Sequence, residues 1–128
     1  MTGGAAPFYA DVADAPDGGV CRWLTAADGV RLRACFWRTG ARGTVLLFSG
    51  RTEYAEKYGP AARELAARGF AMATIDWRGQ GLSARLSGDA ALGHVEHFTD
   101  YQTDVAALLA LVRAEGLPES YYLISHFM

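Results

Sequence analysis

Three short apolar runs, Thr44–Phe48, Phe70–Ile75 and Tyr121–Ile124, alternate with two segments of helical periodicity. No other feature of the chain constrains its fold as strongly. Runs this short and this apolar read as strands buried on both faces. The first helical segment opens at Gly59-Pro60, with proline at its first position. It places Tyr58, Ala62, Leu65 and Ala66 on one face and stops at Gly69. The second opens on the capping box Thr99-Asp100-Tyr101-Gln102, lines up Tyr101, Val105, Leu108, Leu109 and Val112, and ends at Gly116 and Pro118. Strands joined through helices run parallel. Right-handed crossovers in opposite directions put the two helices on opposite faces of the sheet.

Ahead of this unit, Val20–Thr25 and Val30–Trp37 are β-prone and flank Asp28-Gly29, a strong hairpin turn. Leu32, Ala34 and Phe36 fall on one face of the second run, with Arg31 and Arg33 on the other, which predicts an antiparallel hairpin with one wetter face. The order β-β-β-α-β-α-β describes an α/β three-layer sandwich with a topological switch between the Thr44 and Tyr121 strands. Ligands bind at the carboxyl ends of strands at such a switch. Here those ends are Ser49-Gly50-Arg51 and Ser125-His126-Phe127.

The 128 residues suffice for one domain, expected over 20–128, with residues 1–19, rich in Gly, Ala, Pro and Asp, as an irregular lead-in. A formal net charge of -2 excludes a strongly basic nucleic-acid binder. No apolar run approaches the roughly 18 residues of a membrane span. The first 19 residues carry Asp11, Asp14 and Asp17 and lack the basic and apolar regions of an export signal. The expectation is a cytoplasmic protein with Cys21 and Cys35 as thiols, although the two flank the hairpin turn and could be paired.

Several local motifs have simple structural readings. Gly79-Gln80-Gly81-Leu82-Ser83-Ala84 follows a strand and matches the G-x-G-x-x-A pattern of dinucleotide sites, but Arg85-Leu86-Ser87-Gly88-Asp89 continues as loop where that site needs a helix. It reads as a structural turn, with Gly79 and Gly81 in backbone conformations closed to other residues. Ser49-Gly50-Arg51-Thr52 lacks the upstream glycine and the lysine of a phosphate loop. His94 and His97 form H-x-x-H without further ligands at metal-site spacing. The acids are scattered and suggest no general acid/base pair. No cofactor and no metal are expected.

The two switch-strand ends, together with Asp76-Trp77-Arg78-Gly79-Gln80-Gly81-Leu82-Ser83, resemble the N-terminal half of an α/β-hydrolase. The resemblance runs from about Trp23 to the last residue and is strongest to the lysophospholipase and monoacylglycerol-lipase branch. It implies an ancestral hydrolysis of lipid-like esters by a serine on a sharp strand-to-helix turn. It also implies two backbone N–H groups that meet the oxyanion, which map onto Arg51 and Met128.

At the nucleophile position this chain has Phe127, which has no hydroxyl to attack with. The family's acid and histidine follow later in the order Ser, Asp/Glu, His, and the chain ends at Met128. His126 precedes the nucleophile position and is not assigned as general base. The expectation is therefore a partial α/β-hydrolase domain, truncated at the nucleophile turn and catalytically silent, with or without Phe127→Ser. The alternatives are a non-catalytic module that binds a ligand or a partner chain through the switch crevice, and a truncated gene product without function. The edge of the Tyr121 strand is apolar and carries no Lys or Pro, so self-association through it is expected.

Overall fold

The computed structural model describes residues 2–9, 15–48, 54–78, 82–83 and 100–125. Its strands are β1 (Thr2–Ala5), β2 (Val20–Thr25), β3 (Arg31–Trp37), β4 (Thr44–Phe48), β5 (Ala71–Ile75) and β6 (Tyr121–Ser125). Its helices are α1 (Gly59–Ala67) and α2 (Asp100–Ala114), and one 3-10 turn, Ala55–Tyr58, leads into α1. The six strands form a single sheet in the order β1-β2-β3-β5-β4-β6.

The parallel core is β5-β4-β6. Every residue of β4 and β5 is buried, as their uniform apolar runs require. Phe48 at the end of β4 lies level with Ile75 of β5 on one side and Ser125 of β6 on the other. The chain thus steps from β4 out to β5 and back across to β6, which creates the switch between β4 and β6. The hairpin docks on the other side of β5, antiparallel, with Ala34 opposite Ile75 and Trp37 opposite Met72. Gly29 sits in the left-handed region at φ 87° and closes the β2–β3 turn. Gly69, also at φ 87°, ends α1.

Two apolar layers enclose the sheet. Leu108, Leu111 and Val112 of α2 pack on Leu32, Ala34, Phe36, Leu46, Ala73 and Ile75. On the opposite face Tyr58 and Ala62 meet Cys35, Trp37, Leu47 and Met72. The helices lie on opposite faces, as the crossover rule dictates.

Three expectations are corrected. The lead-in is not irregular throughout, because Thr2–Ala5 adds a strand antiparallel to β2. β3 has no wet face: Arg33 is fully buried along with its apolar neighbours. Its side of the hairpin is covered by the 3-10 turn, α1 and the N-terminal segment, where Phe8 sets its ring edge-on to Trp37 at 5.5 Å. Finally, Cys21 and Cys35 form a disulfide. They stand directly opposite each other in the hairpin register, with Cα atoms 4.0 Å apart. The thiol expectation came from compartment, whereas the pairing follows from register.

β6 is one edge of the sheet. Tyr122, Leu123 and Ile124 are 49%, 63% and 45% exposed, so apolar side chains show on both faces of this strand. Among the described residues no helix is long and apolar enough to cross a membrane.

Closing a loop of this size with a disulfide stabilises a native fold by about 3 kcal/mol. The oxidised chain is expected to show no alkylatable thiol after denaturation, and reduction should lower its urea midpoint. Two free thiols in protein purified without reductant would contradict the pairing.

Candidate active site

The carboxyl ends of β4, β5 and β6 lie level with one another, which brings the segments leaving Phe48, Ile75 and Ser125 to one end of the sheet. Arg51, Phe127 and Met128, the positions singled out for oxyanion binding and nucleophile, lie outside the described residues. So do Ser49, Gly50, His126, Gly79, Gly81, His94 and His97. The structure describes the frame that carries these positions.

That frame is organised by two buried arginines. The Arg33 guanidinium donates to both carboxylate oxygens of Glu56 at 2.6 Å, a two-pronged contact. Its Nε donates to Asp76 Oδ2 at 2.8 Å, and Nη1 also reaches the Pro7 carbonyl at 3.0 Å. All three charged side chains are essentially inaccessible to water. Glu56 sits in the 3-10 turn where the chain returns from the segment after β4, and it also accepts the Tyr9 N–H at 3.0 Å.

Asp76 directly follows β5 and accepts from three donors: Arg33 Nε, the Ala55 N–H at 2.8 Å and the Leu82 N–H at 2.9 Å. Ser83 bridges the same strands, donating to the Asp76 carbonyl at 2.7 Å and accepting the Arg33 N–H at 2.9 Å. Arg78 forms the second centre. It donates to Asp104 of α2 through Nε and Nη2 at 2.9 and 2.7 Å, and to Asp28 of the hairpin turn at 2.7 Å. Phe48 stacks on Trp77 with ring centroids 5.4 Å apart, and Tyr101 meets Trp77 edge-on at 4.8 Å.

Burial pushes the Asp76 carboxyl up from its ordinary value, against the pull of Arg33 and the two backbone N–H groups. Asp104 is likewise raised by burial, against Arg78. Burial would raise Glu56 too, but there the Arg33 fork and the Tyr9 N–H prevail and hold it below the usual range. Asp28, mostly exposed, is lowered by its bond to Arg78. Arg78 itself is raised by Asp28 and Asp104 in spite of burial.

Sequence reasoning found Asp76, Arg78 and Ser83 through their motif but missed Arg33, Glu56, Asp28 and Asp104 as their partners. The acids looked scattered because each pairs with an arginine 23 to 50 residues away. Spacing along the chain carries no signal for such pairs. Among the described residues no cluster of His, Cys, Asp and Glu could hold a metal ion.

A mixed sheet of this order, with a crossover helix on each face and its switch between β4 and β6, is the N-terminal portion of an α/β-hydrolase fold. Residues 39–128 match the serine aminopeptidase family S33, and the chain belongs to that family, in the lysophospholipase-like branch of the α/β-hydrolases. It is 36% identical over 106 residues to lysophospholipase L2 of Escherichia coli K12, a match covering 82% of this chain and 31% of that protein. The chain thus spans about a third of the length of the curated relatives it matches. An esterase of Pyrococcus furiosus shares the fold with a TM-score of 0.71 at 17% identity, over 96% of this chain and 46% of that one. A soluble variant of monoglyceride lipase from Saccharomyces cerevisiae does so with a TM-score of 0.65 at 23% identity, over 94% and 38%.

The pH dependence follows from these shifts. Glu56 is depressed below its ordinary 4.5, so the stability it contributes is present above that value and lost as pH falls below it. Asp28 has the same sign, while the raised Asp76 and Asp104 act in the opposite sense. Glu56→Gln should cost about 3 kcal/mol at neutral pH, because it breaks a buried pair. Its melting temperature should also fall less steeply than that of the unaltered chain between about pH 4.5 and pH 3. Parallel profiles in a thermal melt series would show that Glu56 is not the acid-sensitive group.

Proposed function

We propose that this chain carries the oxyanion-forming segment and the nucleophile position, though not the nucleophile, of a serine α/β-hydrolase directed at lipid-like esters. The observation that supports this most is the level β5-β4-β6 register within a region that matches the family from residue 39 to residue 128. In this reading the backbone N–H groups of Arg51 and Met128 face the developing negative oxygen of an ester carbonyl. Position 127 is where the attacking hydroxyl belongs. The names of two similar proteins, a lysophospholipase and a monoglyceride lipase, support a lipid-like ester as substrate class.

Phe127 supplies no nucleophile, and a serine hydrolase without its serine cannot form an acyl-enzyme. The proposal therefore includes loss of hydrolysis in this chain. The 128-residue chain is expected to release no product from a chromogenic short-chain ester above a heat-treated blank. Turnover that survives further purification and disappears on mutating a residue of the switch crevice would overturn it.

A second reading, a non-catalytic module that binds a second copy of itself, is favoured by one observation. Tyr122, Leu123 and Ile124 are exposed on an edge strand, and such an edge templates pairing with another strand. Light-scattering chromatography should show species larger than a monomer at about 50 μM. A sharp monomer peak there would remove this reading.

A further inference from the structure

Among the described strands β6 has β4 as its one neighbour, so the backbone groups on its other side have no strand to meet. The ladder shows which groups these are. Thr44 donates its N–H to the Ser120 carbonyl at 3.0 Å, so Ser120, Tyr122 and Ile124 turn their N–H and C=O toward β4. Along a strand these groups alternate in direction, which leaves those of Tyr121, Leu123 and Ser125 pointing outward. The helices pack chiefly on other strands, α1 on β5 and α2 on β5 and β2. Leu123, level with Leu46 on the α2 face, and Ile124, level with Leu47 on the α1 face, are both exposed as a result. Tyr122 is steadied edge-on against Phe70 at 5.8 Å. The sheet's other edge, β1, is a poor partner for such a strand: Gly3 and Gly4 at its centre have no side chain to bury, and its register with β2 is irregular.

We propose that β6 pairs antiparallel with β6 of a second copy, about a two-fold axis through Leu123, so that one sheet runs through both chains. This rests on the reading of the chain as a module that binds a second copy of itself, and adds the surface and the register. A strand paired with its own two-fold copy in one sheet is antiparallel, and opposed residues share a face. With the axis at Leu123, that residue opposes its own copy, Tyr121 opposes Ser125 of the second copy, and Tyr122 opposes Ile124 of the second copy. Every outward N–H and C=O of Tyr121, Leu123 and Ser125 then has a partner. Moving the axis to Tyr122 leaves those of Ser125 without a partner in β6, and moving it to Ile124 leaves those of Tyr121. On the α1 face the register also creates an aromatic and β-branched pair, Tyr122 with Ile124, at a closely spaced site. The contact is self-complementary and closes at two copies, whereas β6 on β1 of a second copy would propagate.

Crosslinking reads the register, because Cys21 and Cys35 are buried and already paired. Chains with Tyr122→Cys and with Ile124→Cys are mixed at about 50 μM and mildly oxidised. Opposed residues at a closely spaced site have Cα atoms about 4.5 Å apart, which suits a disulfide. The mixture is expected to give about threefold or more crosslinked dimer than either variant alone, joining one variant to the other. Leu123→Lys sets like charges opposite each other at a side chain that is 63% exposed. It should yield a monomer in light-scattering chromatography, with the circular dichroism of the unaltered chain. A monomeric unaltered chain, the outcome if this edge belongs to a different polypeptide, would overturn both the proposal and the reading beneath it. A dimer that survives Leu123→Lys, or in which mixing adds no crosslink, would overturn the proposal and leave that reading standing. Species that keep growing with concentration would do the same, since they require head-to-tail pairing.

Discussion

A guanidinium buried in the middle of a β-strand is the constraint on which the rest of this structure depends. Arg33 sits with no exposure, bonded to Glu56, Asp76 and the Pro7 carbonyl, where an unpaired cation would be very costly. Its donors are taken up by Glu56 and Asp76, which come from the segments that follow β4 and β5. Once those two carboxylates are in place, the ends of three elements are fixed relative to one another. Replacing one partner of such a cluster typically costs about 3–5 kcal/mol, because a charge is left buried without compensation.

The second arginine extends the same logic toward α2. Arg78 ties the exit of β5 to Asp104 on the helix and to Asp28 in the hairpin turn. The D-x-R element thus reaches both faces of the sheet, Asp76 on the α1 side and Arg78 on the α2 side. Its charged residues serve the architecture of the strand ends, and Ser83 bonds backbone groups of β3 and β5. In an α/β-hydrolase of family S33 this architecture stands beside the segments proposed to carry the chemistry.

Much of this fold was legible from the residues because burial on both faces leaves a plain record. The run Thr44–Phe48 is a strand over those same residues, and the Phe70 and Tyr121 runs are displaced by no more than one residue at either end. Gly69 and Gly116 end their helices in the left-handed region, as read. Alternation misled at Arg33, since period two says only that it opposes Leu32 and Ala34, not that the opposite side is also covered. The cover comes from the 3-10 turn and from residues before 20, which have no periodic pattern. The disulfide was hidden for a similar reason: the turn brings Cys21 opposite Cys35, but oxidation state is a matter of environment. Arg51, Phe127 and Met128 were assigned by resemblance alone: a backbone N–H leaves no mark in residue type, and Phe127 lacks the hydroxyl that would mark a nucleophile.

The account holds that Arg33 and Asp76 act as a unit rather than as two separately buried charges. A double-mutant cycle with Arg33→Met, Asp76→Asn and the double variant, followed by urea unfolding at low micromolar concentration, measures this directly. The expected coupling energy is about 2 kcal/mol or more, with the double variant more stable than the sum of the single losses allows. Losses that add to within about 0.5 kcal/mol would contradict the account.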